Sequence, residues 1–225
     1  MGGACCNNRT YEEKTKTHQT FLKVIEASKG MDEFKKDYEY ISILGNGAYG
    51  TVKLYRSSKN HTLKYAVKSV NKQNLDLDNT KLLQNEVKIL RNLDHPNIVK
   101  FYDTFENEQM FNIVMEFIPG DNLTKLANKQ KSKSFTEKDT SKIFLCLFKT
   151  VLYLHNNRIV HRDIKPSNIL FKQPNDFESL KLIDFGISMF LDEKEEEEEE
   201  SIELHKTTSK RNNRIRLSYK DVYGK

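Results

Sequence analysis

"HRDIKPSNIL", residues 161–170, sets an acid (Asp163), basic side chains (Arg162, Lys165) and an amide (Asn168) into one short loop. Proton abstraction, charge neutralisation and metal ligation together require such a group. Working outward, Asn168–Phe171 and Leu180–Ile183 read as two short strands. "DFG", residues 184–186, then supplies a carboxylate directly after a strand, with a glycine that permits a sharp change of direction. On the other side of the loop, Thr136 opens a long helix with Asp139 as a partner in its cap. The body of that helix, Ile143 to Leu154, is apolar on nearly every side, so burial on more than one face is expected.

The N-terminal half has a different pattern. Tyr40-Ile41-Ser42-Ile43-Leu44 and Thr51-Val52-Lys53-Leu54-Tyr55 are strands around "GNGAYGTV", residues 45–52. A bare G-x-G-x-x-G also marks dinucleotide-binding folds, but those place a helix after the glycines, and here a strand follows. Glycines in such a hairpin let backbone N–H groups approach phosphate oxygens; a merely tight hairpin accounts for the stretch equally well. Lys64–Val70 is a third strand, with Ala66, Lys68 and Val70 on one small, apolar face. Lys68 there either snorkels to the edge or finds an acid. Residues 79–93 carry Leu82, Leu83, Val87, Leu90 and Leu93 at helical spacing, and Glu86 falls on the same inward stripe. A lone carboxylate is costly to bury there, and pairing of Lys68 with Glu86 answers both problems. Ile113-Val114-Met115 is a buried strand stopped by Pro119-Gly120, where a boundary between two lobes is placed.

Composition excludes several classes. The 225 residues, 37% apolar and 31% charged, are those of an ordinary globular chain. No stretch approaches the ~20 apolar residues of a membrane span. Three cysteines, two of them adjacent, argue against a disulfide framework and for a reducing, cytoplasmic setting. The net charge of +5 is spread over scattered lysines, so no nucleic-acid partner is expected.

Taken in order, the four pieces resemble the eukaryotic-type protein kinases of the serine/threonine branch over Tyr38 to Met189. That resemblance implies an α+β, bilobal fold. Residues 1–36 would be a disordered arm, 37–117 an N-lobe of antiparallel sheet plus one helix, and 118–190 an incomplete, mainly helical C-lobe. It also implies ATP and Mg²⁺ as cofactors and protein Ser/Thr hydroxyls as substrate. Gly45, Gly47 and Gly50 match the loop over the ATP phosphates, Lys68 the lysine on the α- and β-phosphates, and Glu86 its helix partner. Asp163 matches the group that accepts the substrate proton, Lys165 the lysine on the transferred phosphate, and Asn168 and Asp184 the metal ligands. Leu44, Val52, Ala66 and Leu170 would enclose the adenine, Met115 would be the gatekeeper, and the backbone of Glu116–Ile118 would bond the purine.

"MGGACC" is similar to an N-myristoylation start, with Gly2 exposed once Met1 is removed and Cys6 where the pattern has Ser or Thr. One myristoyl chain holds a membrane only marginally, so Cys5 or Cys6 would carry a second acyl group, at the cytoplasmic face of a membrane. The opening also resembles calcium-dependent protein kinases, but Asp76-Leu77-Asp78 lacks the glycine and closing glutamate of a calcium loop. Beyond Gly186 no Ala-Pro-Glu motif follows, and residues 191–225 read as an acidic run, Glu195–Glu200, and a basic tail. The resemblance then implies that the helices covering the face of Ile143, Leu147, Val151 and Leu154 are missing, leaving it exposed or poorly packed. The alternative reading is therefore a nucleotide-binding or regulatory fragment that lacks the substrate-docking region. Asn122, where many relatives carry a glutamate that reads substrate arginine, argues against a basic-site preference.

Overall fold

The computed structural model describes residues 28–47, 50–129, 135–174 and 176–191. The lipidation candidates, the acidic run and the basic tail lie outside them.

The chain starts with β1 (Lys29–Gly30) and α1 (Met31–Asp37), then β2 (Tyr38–Gly47), β3 (Gly50–Ser57) and β4 (Lys64–Asn71). After α2 (Leu77–Asn92) come β5 (Phe101–Glu106) and β6 (Met110–Glu116). The sheet order is β1-β5-β6-β4-β3-β2, antiparallel throughout except for the parallel pair of β1 with β5. Strand alternation sends Val70, Phe111 and Ile113 to one face, against Leu83, Val87 and Leu90 of α2. Val67, Phe105 and Val114 point to the other face, against Phe34 of α1. α2 starts earlier than its apolar stripe, because the Asp76 carboxylate accepts the Asn79 N–H at 2.7 Å and caps it.

One expectation is corrected here. Residues 29–36 fall within the expected disordered arm, yet they form the edge strand and nearly all of α1, and Phe34 is 3% exposed. Its ring meets Tyr38, Tyr55 and Phe105 with centroids 5.1–5.2 Å apart. The N-terminal lobe thus has a helix on each face of its sheet, and one of those helices is built from the supposed arm. The signal was present: Met31, Phe34 and Tyr38 follow helical spacing, but one short turn between charged residues is too brief to stand out.

The lower part holds α3 (Leu123–Lys129), α4 (Glu137–Asn156), β7 (Ile159–Val160), the hairpin β8 (Ile169–Phe171) with β9 (Leu180–Leu182), and β10 (Met189–Phe190). Thr136 caps α4 as expected, its hydroxyl accepting the Asp139 N–H at 3.1 Å. A Cβ at Gly120 would run into the Phe171 carbonyl oxygen, so the turn between the lobes needs glycine for a close backbone approach. A single core of buried side chains runs from Leu83 and Leu90 of α2 through Ile98, Ile118 and Phe185 to Ile143, Leu154 and Phe171.

The orientation of α4 is a second correction. Ile143 and Leu154 are buried at 4% and 1% exposure rather than uncovered, because the 143/147/150/154 face rests on this core. The exposed apolar face is the adjacent one, Phe144, Leu145, Phe148 and Leu152. A helix apolar almost all round does not announce in sequence which face the fold will cover.

Candidate active site

Two strands and α2 bring the expected charges together. Lys68 in β4 donates to both oxygens of Glu86 in α2, at 2.7 and 2.6 Å, with side-chain exposures of 8% and 2%. Lys68 points off the sheet face that α2 covers and Glu86 points back toward it from the helix, so both are largely withdrawn from water. Asp184 joins them across the lobes. A Cβ at Gly186 would lie 3.2 Å from Asp184 Oδ1, 3.7 Å from Lys68 Nζ and 3.8 Å from Glu86 Oε2. One ammonium and two carboxylates therefore meet around the third residue of "DFG". Asp184 itself sits at φ 64°, in the left-handed region that non-glycine residues rarely adopt.

The 161–170 loop is built on its histidine. The Asp163 N–H donates to His161 Nδ1 at 3.2 Å, so the ring proton lies on Nε2, which donates to the Ile183 carbonyl at 3.1 Å. Burial pushes the His161 pKa down, in keeping with a neutral ring. The ring also stacks edge-on against the fully buried Phe185, with centroids 4.7 Å apart. Histidine and phenylalanine thus tie "HRD" to "DFG".

Asp163 is held by its neighbours. Its Oδ2 accepts from Lys165 Nζ at 2.7 Å and from Asn168 Nδ2 at 2.9 Å, and the same amide donates to its carbonyl oxygen at 3.0 Å. The Lys165 hydrogen bond holds the carboxyl below the usual carboxylate range, and Asp163 in turn raises Lys165. With its NH₂ committed to Asp163, Asn168 has its carbonyl oxygen left for a cation. An amide oxygen and the Asp184 carboxylate are hard donors that suit Mg²⁺, which is commonly held by one or two protein groups plus phosphates and water. Among the described residues there is no group of three or more His, Cys, Asp or Glu that could hold a metal ion.

The walls assigned to adenine lie as strand register dictates. Val52 pairs with Lys68, Ala66 with Met115, and Leu170 bridges to Asn122. Leu44 at 45% exposure is open at the rim. Gly45 has open space where a side chain would project, a Cβ at Gly47 would sit 3.5 Å from the Gly50 carbonyl oxygen, and one at Gly50 would strike the Ser69 carbonyl oxygen. Gly45 thus leaves room above the hairpin, and Gly50 lets β3 lie close to β4. Among the described residues, neither backbone polar group of Ile118 has a hydrogen-bond partner.

Several contacts had no signal in sequence. After Gly186 the chain returns as β10, antiparallel to β7, with Met189 opposite Val160. Ser188 Oγ donates to the His161 carbonyl at 3.0 Å, Asn85 of α2 donates to the Ser188 carbonyl at 2.9 Å, and Arg162 Nε donates to the Ile187 carbonyl at 2.5 Å. These bonds run between segments up to 103 residues apart, so no local pattern encodes them.

Comparison with protein-family profiles matches residues 38–210 to the protein kinase domain. This chain belongs to the protein kinase family. The match runs past Met189, where the motif reading stopped. The kinase chain is 35% identical over 155 residues to a calcium/calmodulin-dependent protein kinase type 1 of Caenorhabditis elegans, covering 68% of this chain and 43% of that protein. It is 36% identical over 162 residues to myosin light chain kinase A of Dictyostelium discoideum, covering 72% and 54%. It is 39% identical over 163 residues to a calcium/calmodulin-dependent protein kinase of Metarhizium anisopliae, covering 72% and 41%. The kinase chain is thus of the eukaryotic type and similar to calcium/calmodulin-dependent kinases, and its aligned part spans about half or less of their length.

Proposed function

We propose that this chain is an ATP- and Mg²⁺-dependent protein serine/threonine kinase. The observation that carries the reading is the buried Lys68–Glu86 pair, formed at hydrogen-bond distance beside Asp184. Lys68 holds its ammonium ready for the α- and β-phosphates, and Gly45, with open space where a side chain would project, leaves room for the phosphate chain. Asn168 and Asp184 would hold Mg²⁺, which would supply charge neutralisation on the phosphates. The substrate hydroxyl oxygen bonds to the γ-phosphorus as the bond to the ADP oxygen breaks, and Asp163 takes the hydroxyl proton. Lys165, beside Asp163, balances charge on the phosphoryl group in flight.

A second reading, nucleotide binding without transfer, is favoured by the exposed apolar face of α4. One paired experiment decides: Mg-ATP binding by thermal shift beside phosphotransfer to a generic Ser/Thr protein. Asp163→Asn is expected to bind Mg-ATP and to lose about 10²–10⁴-fold in transfer. Binding with no transfer by the unaltered chain would overturn the first reading. The N-terminus extends the proposal to a peripheral position at the cytoplasmic face of a membrane, through acylated Gly2 and Cys5 or Cys6. An intact mass from eukaryotic cells with no added acyl chain would end that part.

A further inference from the structure

The strand proposed to meet the purine ends on a charge that the transfer reaction does not use. Glu116 closes β6, and its side chain is only 14% exposed. Burial pushes its pKa up, but hydrogen bonds from Lys172 and Lys181 outweigh that and hold it below the usual value. Lys172 Nζ lies 2.6 Å from Oε1 and Lys181 Nζ 2.8 Å from Oε2. The Lys100 N–H donates to Oε2 at 3.2 Å, and the Glu116 N–H donates to the Lys100 carbonyl at 2.8 Å.

Both ammonium groups come from one hairpin. Lys172 follows β8 and Lys181 lies in β9, 7% exposed, where it also donates to the Ile98 carbonyl at 2.9 Å. The residue before β8 is Asn168, and Asp184 stands two residues after β9. The hairpin whose ends offer the metal donors is therefore bolted, through its opposite end and its second strand, to the end of the purine strand. The lysine–carboxylate cluster is part of the wall of a cavity of about 460 Å³, together with His95, Lys100 and Tyr102.

We propose that Glu116, with Lys172 and Lys181, is a positioning latch that sets the distance between the purine-facing backbone and the metal-binding pair Asn168 and Asp184. The inference rests on the purine and metal assignments made above. A ligand that touches both ends needs both ends in register, so the latch pre-organises the site for a nucleotide with phosphates and metal. A ligand that touches only the purine end does not feel it.

The test is titration of the full chain with Mg-ATP and, separately, with adenosine. Lys181→Met is expected to weaken Mg-ATP about tenfold and adenosine by less than about twofold, and Lys181→Arg to stay near the unaltered value. Equal weakening of both ligands would mean a merely structural role, and unchanged Mg-ATP binding would mean no role; either result overturns the latch. If Lys181→Met does not fold, Lys172→Met decides, since that side chain is 44% exposed and its loss is tolerable; the same selective loss supports the latch and its absence overturns it. An unaltered chain that binds neither ligand would overturn the purine site and the latch with it. Binding of both by the unaltered chain, with the variants at par, would overturn the latch alone.

Discussion

Removing either member of the Lys68–Glu86 pair should destabilise the chain, and by unequal amounts. Both side chains are at least 92% withdrawn from solvent by the exposures of 8% and 2%, and both carboxylate oxygens are bonded to the ammonium. Taking one partner from such a pair leaves an uncompensated buried charge, at a cost of about 3–5 kcal/mol. Asp184 separates the two cases, because its Oδ1 converges on the same point as Lys68 Nζ and Glu86 Oε2. In Glu86→Leu the ammonium still has Asp184 to turn to, so the loss should fall near ~3 kcal/mol. In Lys68→Met two carboxylates face each other without a cation, so the loss should approach ~5 kcal/mol. The double variant removes both charges and should recover most of the loss, since replacing a buried pair by apolar residues is often close to neutral. Urea unfolding followed by far-UV circular dichroism reads all four proteins, and with a slope of about 2 kcal/mol/M the single variants should lose roughly 1.5–2.5 M in midpoint. Single variants within about 1 kcal/mol of the parent, or a double variant as unstable as the sum of the two, would refute the reasoning.

Three further outcomes follow from other parts of the molecule. Phe34→Ala should cost about 3–5 kcal/mol in thermal or urea unfolding, because its buried ring fills the face of the sheet opposite α2; a loss under about 1 kcal/mol would return residues 29–36 to the status of an arm. Ile143→Ala should cost about 2–5 kcal/mol, whereas Phe148→Gln, on the exposed face of the same helix, should stay within about 0.5 kcal/mol, and the reverse order would mean that α4 is turned the other way. Burial depresses the folded pKa of His161, and of His95, so the unfolded chain holds the extra proton between that lowered value and the ordinary imidazole value near ~6.5. The stability of the neutral rings is therefore full above about pH 6.5 and is lost as pH falls through the folded values, and unfolding midpoints across pH 5–8 should show His161→Gln with a shallower acid-side fall. An unaltered slope would refute the buried, neutral assignment.

The site was legible where chemistry is packed into short segments. "HRDIKPSN" and "DFG" bring their acid, amide and carboxylate within a few positions of each other, and strand alternation alone put Lys68 on the covered face. The Lys68–Glu86 pair was legible for a different reason: two ionisable groups on inward faces cannot both be left unpaired, so each implies the other. The Glu116 latch was not legible. Its carboxylate stands at a strand end, a place where an exposed glutamate is ordinary, and its lysines lie far along the chain in a hairpin whose docking no local pattern predicts.

The sequence by itself thus determined the family, the strands around the glycine turn, the helix that carries Glu86 and the identity of the groups around Asp163. Local spacing and the cost of burying a lone charge were enough for that. Only the tertiary structure decided which face of α4 is covered, that Phe34 closes the second face of the sheet, and that β10 returns to β7 beneath α2. It alone revealed that Glu116 is clamped from the far side of the site. These are contacts between segments tens of residues apart, and they depend on how surfaces pack rather than on the order of neighbours along the chain.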